Sequence, residues 1–330
     1  LYTFRSGIKT IIWTDTLQAI CLVAMLVVII WQVKDKMNLD FGGMFNVIVN
    51  SPHSKMFVFD DWYSTQNFFK QFLSGIFITI VMTGLDQDMM QKNLTCKSLK
   101  DAKKNMYTYG FAFTPINLLF LSLGVLLLTL ASWKNITLPQ LSDDILPMFC
   151  TSGILGGSIL IFFTVGIISA AFSSADSALT ALTTTFCVDI LGIEKQEAAK
   201  AKRMRLKVHF LISVAFAIII LIFKAVNNRS VIDAIYLVAS YTYGPLLGLF
   251  AFGLFTHWKP RDKVVPYICI ASPLICYAMN SLVYQLTGYK FGYEMLIVNG
   301  AITFFGLWIA SIGKAKCESL IFIKQKQNGN

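Results

Sequence analysis

Charge is what this sequence has least of. Asp, Glu, Lys and Arg make up 14% of its 330 residues, where an ordinary soluble domain carries about 25%. The deficit excludes a disordered chain, a coiled coil and almost any soluble enzyme. Paired cysteine is missing too. Cys21, Cys96, Cys150, Cys187, Cys269, Cys276 and Cys317 form no CxxC pair. Most lie in apolar runs and read as small buried hydrophobes, not as a metal or redox site. His53, His209 and His257 are scattered, with no HExxH and no nucleophile–base set beside them, so an enzyme is not expected. An initiating Met and a signal peptide are also missing, and an apolar run begins almost at once. The chain is therefore expected to be the C-terminal part of a longer protein.

What is present is apolar. Hydrophobic residues make 55% of the chain and its mean hydropathy is +0.62, the composition of a polytopic membrane protein. Eight segments are long and apolar enough to span a bilayer: about 8–32, 68–90, 107–132, 152–190, 207–225, 231–256, 264–287 and 291–313. They are continuously apolar, not alternating, which predicts helices and not barrel strands. The fourth is too long for one straight span. The connection 33–67 is expected to include a short surface helix.

The net charge of +10 follows the same topology. With alternating spans, 20 of the 28 Lys and Arg fall on one side. They include the clusters Lys92–Lys104, Lys195–Lys207 and Lys259–Lys263, and the tail after residue 313. This bias predicts a multi-pass membrane protein with both ends of the chain cytoplasmic; the membrane is expected to be the plasma membrane. It explains the basic charge without nucleic acid, which is not expected as a partner.

Ionisable residues within apolar spans are costly and are functional candidates by default. Asp15 lies in the first span and Asp176 in the fourth. Ala170, Ser173, Ser174 and Ser177 follow helical spacing along one face, with Asp176 at its border. Hydroxyl, carbonyl and carboxylate oxygens suit a hard cation, and the low total charge suits a monovalent one. The same hydroxyls are compatible with bonding to the preceding turn or with helix packing. Asp15 is also compatible with the cytoplasmic end of a tilted helix. Two further features concern the backbone. Pro245, in the run Ser240–Pro245, lacks an N–H and predicts a break in the sixth span. Gly84–Asp88 reads as the interfacial end of the second.

Three motifs occur in order. GIKTIIWTDTLQ, from Gly7, resembles the Trp-Thr-Asp helix motif of the sodium/solute symporter family. GLDQDMMQKNLTCKSLKDAKKN, from Gly84, resembles its second signature. AAFSSADSALTALTTTFCVDIL, from Ala170, resembles its third. The resemblance implies an all-α polytopic fold, a partial five-plus-five inverted-repeat (LeuT-like) core with two additional C-terminal helices. It makes 1–330 one transporter domain truncated at its N-terminus. Residues 1–32 would be core helix five, 68–256 the second inverted repeat, 264–313 the additional helices and 314–330 a cytoplasmic tail.

The resemblance also implies a function and sites. The function is Na⁺-coupled symport of a small organic solute into the cell by alternating access, with Na⁺, the solute and the bilayer as partners. One Na⁺ would bind the Ala170 carbonyl and the Ser173 and Ser174 hydroxyls. Asp15, Ser173, Asp176 and Ser177 would form a second Na⁺ or proton site. Asp176 departs from the hydroxyl usual at its position. Thr79, Met82 and Phe113 would line the solute path, with Met82 in place of an aromatic gate. Proton-coupled symport on the same fold is the alternative, and a transporter-like sensor a more distant one.

Overall fold

The computed structural model describes residues 8–193, 196–226, 231–289 and 291–312. Every regular element among them is helical. In order these are α1 (Ile8–Lys36), α2 (Phe41–Asn50), α3 (Phe68–Thr79), α4 (Gln87–Leu94), α5 (Leu99–Trp133), α6 (Ile145–Thr151), α7 (Gly157–Thr185), α8 (Ala198–Val226), α9 (Val231–Phe255), α10 (Val265–Thr287) and α11 (Met295–Ser311). The predicted tail 314–330, together with Arg5, Lys195, Arg229 and Lys290, lies outside the described residues.

Among the described residues, six helices (α1, α5, α7, α8, α9 and α10) are long and apolar enough to cross a membrane. Counting the broken segment α3–α4 as one span gives seven. Helix α11 has 17 residues, about 25 Å of rise against a hydrocarbon core of about 30 Å. A count of eight therefore requires both the broken segment and this short helix. Long apolar side chains such as Phe210, Leu211, Ile219 and Leu221 on α8 are exposed, as expected where lipid is the solvent.

Several boundaries differ from expectation, each for a local reason. The second span is not continuous to residue 90. After α3 the chain makes a π-helical turn at Ile80–Gly84, and Asp86 then caps a new helix by accepting from the Met89 N–H at 3.1 Å. The Lys-rich stretch after it is largely helical. Ser98 caps α5 by accepting from the Asp101 N–H at 3.1 Å and donates to the Asp101 carboxylate at 2.7 Å, so α5 starts eight residues before the predicted 107. Helix α7 starts at Gly157, after a turn in which Gly153 and Gly156 have φ of +77° and +100°, and it ends in a π-helical turn at Phe186–Ile190. The expected surface helix is α2, capped by Asp40, which accepts from the Gly43 N–H at 2.7 Å.

The chain divides into two compact units. One takes the chain up to Lys55 and from Asp86 through α8; the other takes Met56–Leu85 and α9 onward. In the first, α1 and α7 run antiparallel in close contact. Gly166 makes this possible, since a Cβ there would fall 2.8 Å from the Met25 Cβ. Leu26, Ile29 and Val33 of α1 pack with Leu126 and Leu130 of α5, Phe149 of α6 and Ile159 of α7.

In the second unit α9 packs on α11, and the expected break at Pro245 does not occur: α9 is continuous through it. The proline ring removes the N–H that would bond the Tyr241 carbonyl four residues earlier. The fully buried Asn299 of α11 replaces it, its Nδ2 donating to Tyr241 O at 2.8 Å and Ser240 O at 3.1 Å. Gly244 leaves room for this amide, because a Cβ there would lie 2.1 Å from the Asn299 Cγ. Ser272 of α10 donates to the Asn299 side-chain and main-chain oxygens. A freed carbonyl in an apolar setting is thus paired across the helix interface.

Candidate cation site

The α1–α7 contact brings two polar sequence features together. Ser173 Oγ donates to Asp15 Oδ1 at 2.9 Å, and Ser177 Oγ donates to Asp15 Oδ2 at 3.3 Å. These serines are one turn apart on α7, so both hydroxyls face α1. The hydroxyls farther along behave differently. Thr183 and Thr184 bond back to Leu179 O and Thr180 O, at 2.6 and 2.8 Å, the local packing role open to any helical Ser or Thr. Thr183 also meets His209 Nδ1 of α8 at 3.0 Å in a buried contact.

A third helix enters the cluster, with a residue that sequence reasoning assigned to a cytoplasmic loop. Lys92 of α4 places its ammonium 3.0 Å from Asp15 Oδ2 and 3.2 Å from Asp88 Oδ2. The Asp15 and Lys92 side chains are 17% and 27% exposed, so both are largely withdrawn from solvent. They line an open cleft of about 1150 Å³ with Met89, Asn93, Tyr109 and Ser173. Two signals in the sequence pointed to Lys92. Asp88 and Lys92 have the i, i+4 spacing of a helical ion pair, and a carboxylate inside an apolar span needs a cation.

The other candidates stand as follows. Ala170 and Ser173 are half-buried and Ser174 is exposed, on neighbouring turns of α7. Ser173 spends its proton on Asp15 and keeps lone pairs for a cation, and a helical carbonyl such as that of Ala170 retains a second lone pair. These oxygens fit part of an alkali-cation shell; one helix does not complete it. Asp176 is buried and acts electrostatically on His209 of α8. Thr79 ends α3, donates to Gly75 O at 2.8 Å and is exposed; Met82 is half-buried in the following π-helical turn. Phe113 is an exposed residue of α5, its ring tilted against Tyr109 at 6.1 Å. Thr79 and Met82 belong to one compact unit and Phe113 to the other. No group of His, Cys, Asp and Glu among the described residues has the arrangement of a metal centre.

Comparison with known proteins agrees with this architecture. A model described as "SSF: Sodium:solute symporter family" matches residues 1–260. The sodium/sialic acid symporter SiaT of Proteus mirabilis (strain HI4320) is 25% identical over 284 residues, which is 82% of this chain and 56% of that protein. The sodium-dependent multivitamin transporter of Oryctolagus cuniculus is 24% identical over 269 residues, 77% of this chain and 41% of that protein. The chain thus spans about half the length of the curated relatives it matches. A solved structure of a Na⁺-coupled sialic acid symporter, described as substrate-bound and outward-open with a novel Na⁺ site, matches with a TM-score of 0.74 at 22% identity. The match covers 97% of this chain and 66% of that one, and it shows a shared fold.

Proposed function

The chain belongs to the sodium:solute symporter family, and from that premise we propose that its full protein carries out Na⁺-coupled uptake of a small organic solute by alternating access. The observation that carries this most directly is the meeting of Asp15 with Ser173 and Ser177 between two long apolar helices. An acidic, hydroxyl-rich cluster within a membrane span is costly unless it serves an ion or the machinery around one.

We assign the Na⁺ site to the Ala170 carbonyl and the Ser173 and Ser174 hydroxyls, completed by oxygens from outside α7. Asp15, Ser173, Asp176 and Ser177 form a second cation position beside it. Thr79 and Met82 of one unit, and separately Phe113 of the other, are the solute-lining candidates, and the Lys-rich segments face the cytoplasm. In domain terms, 68–256 is the second inverted repeat and 264–313 the two additional helices. Coupling requires Na⁺ to favour the outward-open, solute-competent state, because a ligand shifts an equilibrium only by its differential affinity. An ion held between α7 and a second element does this if inward opening parts its ligands. The family favours Na⁺ over the proton as the coupling ion.

The test is uptake by the full-length protein in proteoliposomes, screened with radiolabelled sialic acid, vitamins and other small organic acids. An inward Na⁺ gradient should drive accumulation, and choline or a pH gradient alone should not. Ser174→Ala should raise the Na⁺ concentration for half-maximal uptake by about tenfold, the loss of roughly one charge-assisted contact. Accumulation that is equal with Na⁺ and choline would overturn the proposal.

A further inference from the structure

We propose that Lys70 is a positioning residue: it pins the rotation of α3 about its own axis, so that Thr79 faces the solute. This rests on the solute-lining reading above and goes beyond it. All the groups involved belong to one compact unit. Lys70 lies in the first turn of α3 and is only 7% exposed. Its ammonium has no hydrogen-bond acceptor among the described residues. It rests instead over the ring of Tyr289, 4.1 Å from the centroid, with the Trp62 ring farther off at 6.0 Å. Tyr289 is itself tied down. Its hydroxyl donates to Glu294 Oε1 at 2.8 Å, and the Gly292 N–H donates to the same oxygen at 3.0 Å. The seat for the ammonium is thus the connection between α10 and α11.

A buried ammonium answered by a ring and not by a carboxylate costs stability, and a residue kept at such a cost is a functional candidate. What it offers over an apolar side chain is direction. Hydrophobic burial is non-directional, whereas a cation–π contact needs the ammonium over the face of the ring. Helical spacing carries that direction along α3. Ser74 is one turn beyond Lys70 and Val81 about three turns, so both share its face. Ser74 is buried there, and Val81 packs with Leu247 of α9 and Leu296 of α11. Thr79 is about two and a half turns beyond Lys70, which puts it on the opposite face, and it is exposed. Seating Lys70 on Tyr289 therefore fixes where the Thr79 hydroxyl points.

Two measurements on the full-length protein test this. In the first, Thr79→Cys is labelled with a water-soluble maleimide and followed by mass spectrometry of the modified peptide. Lys70→Met or Tyr289→Leu added to it should slow labelling at position 79 several-fold, and Tyr289→Phe, which keeps the ring, should not. In the second, uptake is measured in proteoliposomes. Lys70→Met and Tyr289→Leu should raise the KM for solute about tenfold, the loss of roughly one hydrogen bond from a misdirected Thr79. The Na⁺ concentration for half-maximal uptake at saturating solute, and the melting temperature of Lys70→Met without solute, should stay at the wild-type values. Labelling at the wild-type rate in Lys70→Met, or a KM that does not move, would overturn the proposal. A fall in the melting temperature of Lys70→Met alongside the KM change would overturn it too, because Lys70 would then be a prop for the fold. A wild type that takes up no solute in Na⁺ would instead overturn the Na⁺-coupled reading, and the labelling rates would still decide the role of Lys70.

Discussion

Asn299→Ala is expected to cost about 3 kcal/mol of stability, and Pro245→Ala made in the same chain is expected to restore about 1–2 kcal/mol of it. An interhelical hydrogen bond in a membrane protein averages only about 0.6 kcal/mol, so the two bonds from the Asn299 amide are not the main cost. The larger part is the Tyr241 carbonyl. Pro245 supplies it no N–H, and without Asn299 it is left unpaired at a part-buried helix interface. Alanine at 245 returns the missing N–H. Asn299→Asp should be worse than Asn299→Ala, because it turns a carboxyl oxygen toward the Tyr241 and Ser240 carbonyls. Thermal melting of the four variants in one detergent measures the cycle. If Pro245→Ala is no more favourable in the Asn299→Ala background than in the wild type, the pairing of proline and asparagine is wrong.

The second large effect lies at Asp15. Asp15→Ala is expected to destabilise by about 2 kcal/mol. Lys92→Met added to it should recover about half, although each single change removes the same ion pair. Removing the carboxylate leaves a largely withdrawn ammonium with Asp88 alone, and two serines without their acceptor. Removing both charges leaves only a gap, which Met partly fills. A fully buried pair broken on one side costs 3–5 kcal/mol. The figure is lower here because both side chains keep some solvent contact. Additive losses in the double variant, measured by melting, would mean that Asp15 and Lys92 do not act as a pair.

Much of the fold could be read from the sequence because hydropathy responds to the bilayer, and the bilayer dictates helices. The long helices are legible that way; for the connection 33–67 the sequence implies only that it holds a short surface helix, which the structure places at Phe41–Asn50. The shifted helix boundaries have local causes, the caps at Asp86 and Ser98 and the glycine turn before α7, whereas two other differences come from partners distant along the chain. Pro245 predicts a broken helix when only its neighbours are considered, and the amide that repairs it is 58 residues beyond Tyr241. Lys92 looks like a loop lysine when spans are drawn from apolarity alone. The cap at Asp86 makes it helical, and the Asp15 carboxylate gives it a reason to point inward. Helical spacing marks Ser173 and Ser177, and the cost of a buried charge marks Asp15, but joining Asp15 to those serines comes from the family resemblance. The roles of Thr79, Met82 and Phe113 had no comparable physical constraint, since a half-exposed residue in an apolar helix suits lipid, packing or solute equally.

The central claim is that the Ala170–Ser173–Ser174 face of α7 holds Na⁺. The most direct test follows the melting temperature of the purified full-length protein as NaCl replaces choline chloride at constant ionic strength, in the wild type and in Ser173→Ala and Ser174→Ala. The predicted result is a saturable, Na⁺-specific rise in the wild type. It should correspond to about 2.7 kcal/mol at a hundredfold excess over the dissociation constant, with midpoints moved to higher Na⁺ in both variants. A wild type that melts at the same temperature in Na⁺ and choline, or variants that keep the full Na⁺ response, would contradict it.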